Sequence, residues 1–432
     1  MIRKKYQKKR DILILLLILM PIINQYQLLS LTCWEMFSII LVLYGIIVIR
    51  KGKIDIYIDE TYVWFCAYIS FVYVCSIIFY SELQIGTAML RLIKFFIISI
   101  VVISVAYYYV FDIGLIKKYY RYVLLMVSVL LVTQWVFYYT LGRQIYPIIP
   151  NLTLNYNDGT NSTQYINSTI SQILGGYYFR PSSVFIEPAH YALFALPGII
   201  LELFEEKLSR GNLIVAAFFS VCAILTTSSM AFVGCAVCWF LFIIKRKDLW
   251  KTKFGWMISM VVIAIPVVSY YLLHNSAVLT TIGIKLAGLS HLSESSSISL
   301  RLVRGLQFYR NMGVFQQIWG VGYGNLTAYY IKSGMNILGY GRIGQVSYMN
   351  GFSTILCSFG IVGLLMFFMF LYRMYKKSVL IGRMMIIVFG IAMIGCDMFD
   401  SVIYYLYLIM IVVLSQKENK QEWYIDGNIE YS

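Results

Sequence analysis

The sequence predicts an all-α polytopic membrane protein, and three observations carry that class. Hydrophobic residues make up 60% of the 432 and charged residues 13%, with a mean hydropathy of +0.75; a soluble chain is about 25% charged. Apolar runs near the roughly 20 residues that span a bilayer recur about twelve times, at 11–29, 31–49, 61–80, 91–111, 122–141, 186–204, 213–229, 230–244, 254–273, 347–371, 382–397 and 401–415. The last two are short and read equally as one broken hairpin. Basic clusters at 3–10, 50–53, 117–121, 207–210, 245–253, 373–383 and 417–420 fall in every other connection. The positive-inside rule puts all seven, and both termini, in the cytoplasm. Topology thus accounts for the net charge of +15. The basic residues are scattered over short loops rather than gathered on one face, so no nucleic-acid partner is implied.

Along the chain, the basic N-terminus followed by the apolar run at 12–20 resembles a signal peptide. No small-residue cleavage site follows, and the segment reads as a retained first span. The whole chain, 1–432, reads as a single integral membrane domain with two long extracytoplasmic loops, 142–185 and 274–346. Loops of that length are usually functional or disordered. The first is rich in Asn, Thr and Ser at 151–169 and closes on Arg180-Pro-Ser-Ser-Val-Phe-Ile-Glu-Pro-Ala-His190. Pro188 suits the first helical position, where its missing N–H would have no helical partner. Glu187 then becomes the N-cap, with His190 in the first turn. Three ionisable groups where a loop meets an apolar span are costly unless they are used. All eight cysteines fall in predicted spans, so Cys235-Ala-Val-Cys238 reads as buried small hydrophobes rather than a redox or zinc pair.

The second long loop is predicted to hold an amphipathic helix at 297–312. Leu300, Val303 and Leu306 form one stripe, and Arg301 and Arg304 stand together at i and i+3. Two readings stay open: an interfacial helix whose arginines touch lipid headgroups, or an anion clamp facing a cavity. Next comes Trp319-Gly-Val-Gly-Tyr-Gly-Asn325. Its alternating glycines let a backbone turn tightly and approach a ligand. Its spacing is not that of a dinucleotide fingerprint and no βαβ unit surrounds it. Asp397 and Asp400 are explained as a polar turn at the outer rim of the last hairpin. No His-x-x-x-His pair, carboxylate cluster or DxD motif lies outside, so the sequence offers no metal site and implies no cofactor.

These residues fit a lipid diphosphate. Arg180, Arg301 and Arg304 could pair with its oxygens bidentately, and the helix N-terminus at Pro188 adds partial positive charge. Glu187 or His190 could accept a proton from a sugar hydroxyl. Each also has a plain structural reading: Arg180 as a headgroup anchor, Glu187 as an N-cap or ion-pair partner of Arg180, His190 as a core histidine. Singly those readings are the commoner; as an outer cluster, the functional one gains.

The pattern resembles the Wzy-type polysaccharide repeat-unit polymerases and their relatives, the O-antigen ligases. The resemblance rests on the Arg180–His190 segment continuing through Tyr191-Ala192, on Leu225-Thr-Thr-Ser-Ser229, on Arg301 and Arg304, on Trp319-Gly-Val-Gly-Tyr-Gly-Asn325 and on Phe359-Gly-Ile-Val-Gly-Leu364. It implies a GT-C-like glycosyltransferase architecture acting on the outer face of the cytoplasmic membrane. It further implies a metal-independent enzyme that joins undecaprenyl-diphosphate-linked oligosaccharide repeat units into a capsular, exo- or O-antigen polysaccharide. Arg180, Arg301 and Arg304 would bind the diphosphate, Glu187 or His190 would serve as base, and Gly322, Tyr323, Gly324 and Asn325 would shape the substrate loop. Membrane lipids are implied partners, with a chain-length regulator and a flippase as further candidates. Two departures stand out. Many relatives carry an arginine where this chain has Met230, and the ligases tend to carry a histidine near the glycine motif, where this chain has none. The second favours polymerase over ligase. A lipid-linked oligosaccharide flippase is the rival from another class, but ionisable residues within spans and related halves, expected of transporters, are not evident.

Overall fold

The computed structural model describes residues 2–28, 31–50, 59–79, 93, 95–96, 99, 113–145, 180–246, 297–322, 324–335, 349–399 and 401–415. Among them helices dominate. They are α1 (Ile2–Ile23), α2 (Cys33–Arg50), α3 (Glu60–Phe79), α4 (Ile113–Leu141), α5 (Pro188–Leu203), α6 (Arg210–Leu225), α7 (Ser229–Lys245), α8 (Ser297–Arg310), α9 (Val314–Trp319), α10 (Leu326–Ser333), α11 (Gly351–Lys377), α12 (Leu380–Gly395) and α13 (Val402–Leu414). Two two-residue strands, β1 (Gln27–Leu28) and β2 (Leu31–Thr32), pair antiparallel before α2. Two helices, α4 and α11, are long and apolar enough to cross a membrane. The predicted span at 254–273, most of 91–111, the loop segments 146–179, 274–296 and 336–348, and His274, His291, Tyr323 and Asp400 lie outside the described residues. The chain divides into two compact units, residues 1–37 with 114–290, and 38–113 with 291–432.

The first unit is built on α5, which is buried from Tyr191 to Leu203. A helix apolar all round is a core helix, and α6 and α7 pack beside it. Helix α4 runs antiparallel to α5. At one end Arg121 grips the buried Glu202 through Nε (2.7 Å) and a second guanidinium nitrogen, and the Asn212 amide donates to the same carboxylate at 2.8 Å. Midway, the Tyr120 hydroxyl donates to the Phe194 carbonyl at 2.7 Å, in the turn that Pro197 loosens. At the other end Gln134 of α4 holds the segment that leads into α5. From Arg121 to Gln134 the helix rises about 20 Å, so the ionic pole and the segment carrying Arg180 stand far apart.

In the second unit α3 runs against α11. Asp59 caps α3, accepting from the Thr61 amide at 3.0 Å, and pairs with Lys377 (2.9 Å) and Arg373 (3.3 Å) at the far end of α11. Burial opposes ionisation of Asp59, but the Thr61 hydroxyl and the two cations outweigh it and hold the carboxyl below its ordinary range.

Helix α11 departs from the continuous span predicted at 347–371. It breaks at Gly360, whose φ of 68° and ψ of −174° are not helical. The ring of Phe352 lies 5.2 Å from that of Phe368; in a straight helix those residues stand about 24 Å apart along the axis. The limbs on either side of Gly360 therefore fold back toward each other. A break frees carbonyls at the end of the first limb. Two of them are taken by the glycine-rich segment: the Val321 amide donates to Cys357 O at 3.3 Å and the Gly322 amide to Ser358 O at 2.8 Å. The Tyr68 hydroxyl of α3 reaches Phe359 O at 3.0 Å and Trp319 O at 3.3 Å. Only glycine fits the facing positions. A Cβ on Gly360 would lie 2.1 Å from Ile318 O, and one on Gly320 (φ 84°) 2.2 Å from Ser358 O.

Gly360→Ala is therefore expected to lower the thermal midpoint of the purified protein strongly, or to abolish its accumulation. Gly390→Ala serves as control, since nothing lies within 4 Å of an added Cβ there. That change in a helix interior is expected to be neutral or to stabilise by about 0.5–1 kcal/mol. Equal midpoints for the two variants would contradict the seam.

Candidate functional site

The structure places Glu187 at the N-cap of α5 and Pro188 at its first position, in agreement with the sequence. The Glu187 side chain makes no capping bond to the helix. Arg180, Glu187 and His190 are all half-buried. Arg180 turns toward the connection between α6 and α7. Its Nε donates to Thr227 Oγ1 at 3.0 Å and a terminal nitrogen to Thr227 O at 3.2 Å. The motif Leu225-Thr-Thr-Ser-Ser229 thus receives Arg180 directly.

Two residues here, one at the contact and one three positions after Arg180, have left-handed backbone. Thr227 and Ser183 adopt φ of 53° and 56°, a region that non-glycine residues occupy at a cost of order 1 kcal/mol or more. The surroundings hold them there. Gln134, buried in α4, accepts from the Ser183 amide at 2.8 Å and donates to its carbonyl at 3.0 Å. The Ser183 hydroxyl donates to Val127 O at 2.6 Å, and Gln25 donates to Val184 O at 2.8 Å. The segment 180–187 is thereby fixed from the connection after α1, from α4 and from the α6–α7 turn.

In the second unit, α8 corrects the predicted stripe. Leu306 is 50% exposed, whereas Arg304, Gly305 and Phe308 are buried and Arg301 and Val303 half-buried. The arginine face is turned inward, against α11 and α12. Arg301 donates from one terminal nitrogen to Gly395 O at 2.8 Å and reaches Cys396 Sγ at 3.3 Å. A cation at the C-terminus of α12 meets the negative end of that helix. Asn350 caps α11 by accepting from the Ser353 amide and donates to Arg301 O at 2.7 Å. The Gly351 amide in turn donates to Cys396 O at 3.0 Å. Three elements meet at the apex between α12 and α13.

Asp397 stands at that apex, in the connection outside both helices. It is exposed although Cys396, Met398 and Phe399 beside it are buried.

Within the predicted substrate loop, Asn325 is buried, donating to Ser76 Oγ at 3.1 Å and Val321 O at 3.0 Å. Gly322 is buried and Gly324 exposed. Asn325 and Gly322 therefore set the shape of the loop from its packed side. Gln134, Asn350 and Thr354 were not singled out from sequence, whereas Thr227 was named there within the motif 225–229. Polar residues inside apolar helices were the signal available for Gln134 and Thr354. Among the described residues, no group of three or more His, Cys, Asp or Glu is placed to hold a metal ion. No family model matches the chain, and no curated protein matches it significantly.

The holding of segment 180–187 gives a direct test. Gln134→Leu keeps volume but removes both bonds to Ser183, each worth about 0.5–1.5 kcal/mol. In a cysteine-free background, a cysteine at position 184 is expected to react several-fold faster with a thiol reagent when Gln134 is replaced. Unchanged labelling would mean the segment is held by other contacts.

Proposed function

We propose that the protein is a metal-independent membrane glycosyltransferase of the polysaccharide-polymerase type, with about twelve spans and both termini cytoplasmic. It would join undecaprenyl-diphosphate-linked oligosaccharide repeat units on the outer face of the cytoplasmic membrane. The observation that carries the reading is the inward-turned arginine face of α8. An interfacial helix that met headgroups with its arginines would expose them; this one exposes Leu306 and buries Arg304. Buried arginine is the side chain suited to bidentate binding of phosphate oxygens. By the resemblance, Arg180, Arg301 and Arg304 are assigned to the diphosphate, whose departure they would stabilise. An O-antigen ligase-type transferase is the second reading, and the lipid-linked oligosaccharide flippase the third.

The test is reconstitution. Purified protein given lipid-diphosphate-linked repeat units is expected to produce a ladder of chain lengths, whereas a flippase would move the substrate and leave its length unchanged. Arg304→Lys and Arg180→Lys preserve charge but not the planar fork, and each is expected to cut chain growth by about tenfold or more, the equivalent of 1.4 kcal/mol per factor of ten. Full ladders from both variants at matched protein levels would remove the diphosphate assignment.

Topology is tested separately. With every native cysteine removed, a cysteine at position 160 is expected to label with an impermeant thiol reagent in intact cells. Labelling only after lysis would invert the proposed orientation.

A further inference from the structure

We infer that α9 and the glycines after it form a re-entrant element, a placement that rests on the membrane reading of the second unit rather than on the transferase assignment. The chain dips into the bilayer from its outer side, turns about halfway through, and lays Val314, Phe315 and Ile318 against lipid acyl chains. In the sequence, by contrast, all of 274–346 reads as extracytoplasmic.

Depth can be counted along α3 and α11. Asp59 caps α3 and pairs with Lys377 and Arg373, so this ionic belt marks one membrane face. The hydroxyl of Tyr68, nine residues along α3, reaches Trp319 O; nine residues of helix rise about 14 Å. Helix α11 gives the same depth. A Cβ on Gly363 would lie 3.1 Å from the Tyr68 ring, and Gly363 is ten residues, about 15 Å, from Arg373. The hydrocarbon core is about 30 Å thick, so Trp319 lies near its middle. On both sides of this point the chain lies further out. Asn325 donates to Ser76, about 26 Å along α3 from Asp59. The Gly313 backbone N–H, at the start of α9, donates to the hydroxyl of Tyr329, one turn beyond Asn325.

The side chains of α9 are sorted for hydrocarbon. Val314, Phe315 and Ile318 are exposed, as is Phe71 of α3, whose ring lies 6.2 Å from that of Trp319. Gln316 and Gln317 are half-buried, and the side-chain amide of Gln317 donates to the carbonyls of Tyr309, Arg310 and Met312. A helix facing water would turn its glutamines outward and its apolar side in. The backbone is closed as hydrocarbon requires. Gln317 N–H donates to Gly313 O and Gly320 N–H to Gln316 O, while those of Val321 and Gly322 bond to α11. At mid-core depth the medium around a protein is acyl chain, which names the occupant of the exposed face.

The experiment places nitroxides on the full-length, cysteine-free protein in lipid nanodiscs, through Val314→Cys, Ile318→Cys and Leu365→Cys. All three native side chains are exposed, so the changes leave the core intact. Power-saturation EPR compares collisions with oxygen, which concentrates in hydrocarbon, against those with a water-soluble nickel chelate. Oxygen is expected to dominate several-fold at 314 and 318, with 318 deeper by up to about 6 Å, four residues of helix. Dominance of the nickel chelate would put α9 in water. Low collision rates with both reagents would mean that protein covers the face. Equal, shallow depths would mean that α9 lies flat at the interface. Each of these three outcomes overturns the re-entrant placement. Position 365, in the second limb of α11, tests the premise: nickel access there would overturn the membrane reading of the unit instead. A second measurement keeps the native cysteines. The fluorescence contributed by Trp319, taken as the difference between wild type and Trp319→Phe, is expected to be quenched more by phospholipids brominated deep in the acyl chain than by those brominated near the headgroup. The reverse order overturns re-entry to mid-core.

Discussion

The second unit depends on a backbone-to-backbone seam between the glycine-rich segment and the break in α11. Breaking a helix in apolar surroundings exposes carbonyls that water cannot satisfy. Here the amides of Val321 and Gly322 satisfy two of them, and the Tyr68 hydroxyl satisfies a third at Phe359. The contact is so close that a methyl group on either Gly320 or Gly360 would overlap a carbonyl. Because α11 folds back at this point, its first limb returns to the apex of α12 and α13, where the Gly351 amide meets Cys396 O. Asn350 and Arg301 close the same junction. The position of Asp397 follows from that chain of contacts.

The first unit solves a related problem with side chains. Segment 180–187 carries no regular hydrogen-bonding ladder, so its polar groups need other partners. Gln134 meets both backbone groups of Ser183, and the guanidinium of Arg180 meets Thr227. Ser183 and Thr227 both hold left-handed backbone without being glycine. Such conformations persist where the surroundings over-determine them, and here α4 and the α6–α7 turn do so.

Hydropathy and turn chemistry made the helical class, the start of α5 at Pro188 and the existence of α8 legible in the sequence. The break at Gly360 was hidden because the flanking residues are uniformly apolar. A run such as Thr354 to Phe367 has the same composition whether it continues or folds back, and a lone glycine is tolerated in a helix. The burial of α8 stayed open in the sequence because period analysis locates an apolar stripe but says nothing about which side is the interior. Asp397 was read as part of a polar turn; its neighbours Arg301 and Thr354 lie 96 and 43 positions away in the chain, and no local pattern encodes that meeting.

The inverted face of α8 also bears on what surrounds the protein. In water, a helix with Leu306 outward and Arg304 inward would expose apolar surface and desolvate charge at once. The neighbouring α9 likewise exposes apolar side chains, with Val314 73%, Phe315 55% and Ile318 40% exposed. Helix α4 does the same with Met126 at 74% and Val129 at 57%. Lipid removes the cost, since hydrocarbon favours the outward apolar residues and leaves the interior as the one place where polar groups find partners. The inward arginines and the buried Thr354 hydroxyl are then consequences of a single environment. Functional polar groups in such a protein concentrate where the helices meet, and the apex beside Arg301 is such a meeting point in the second unit.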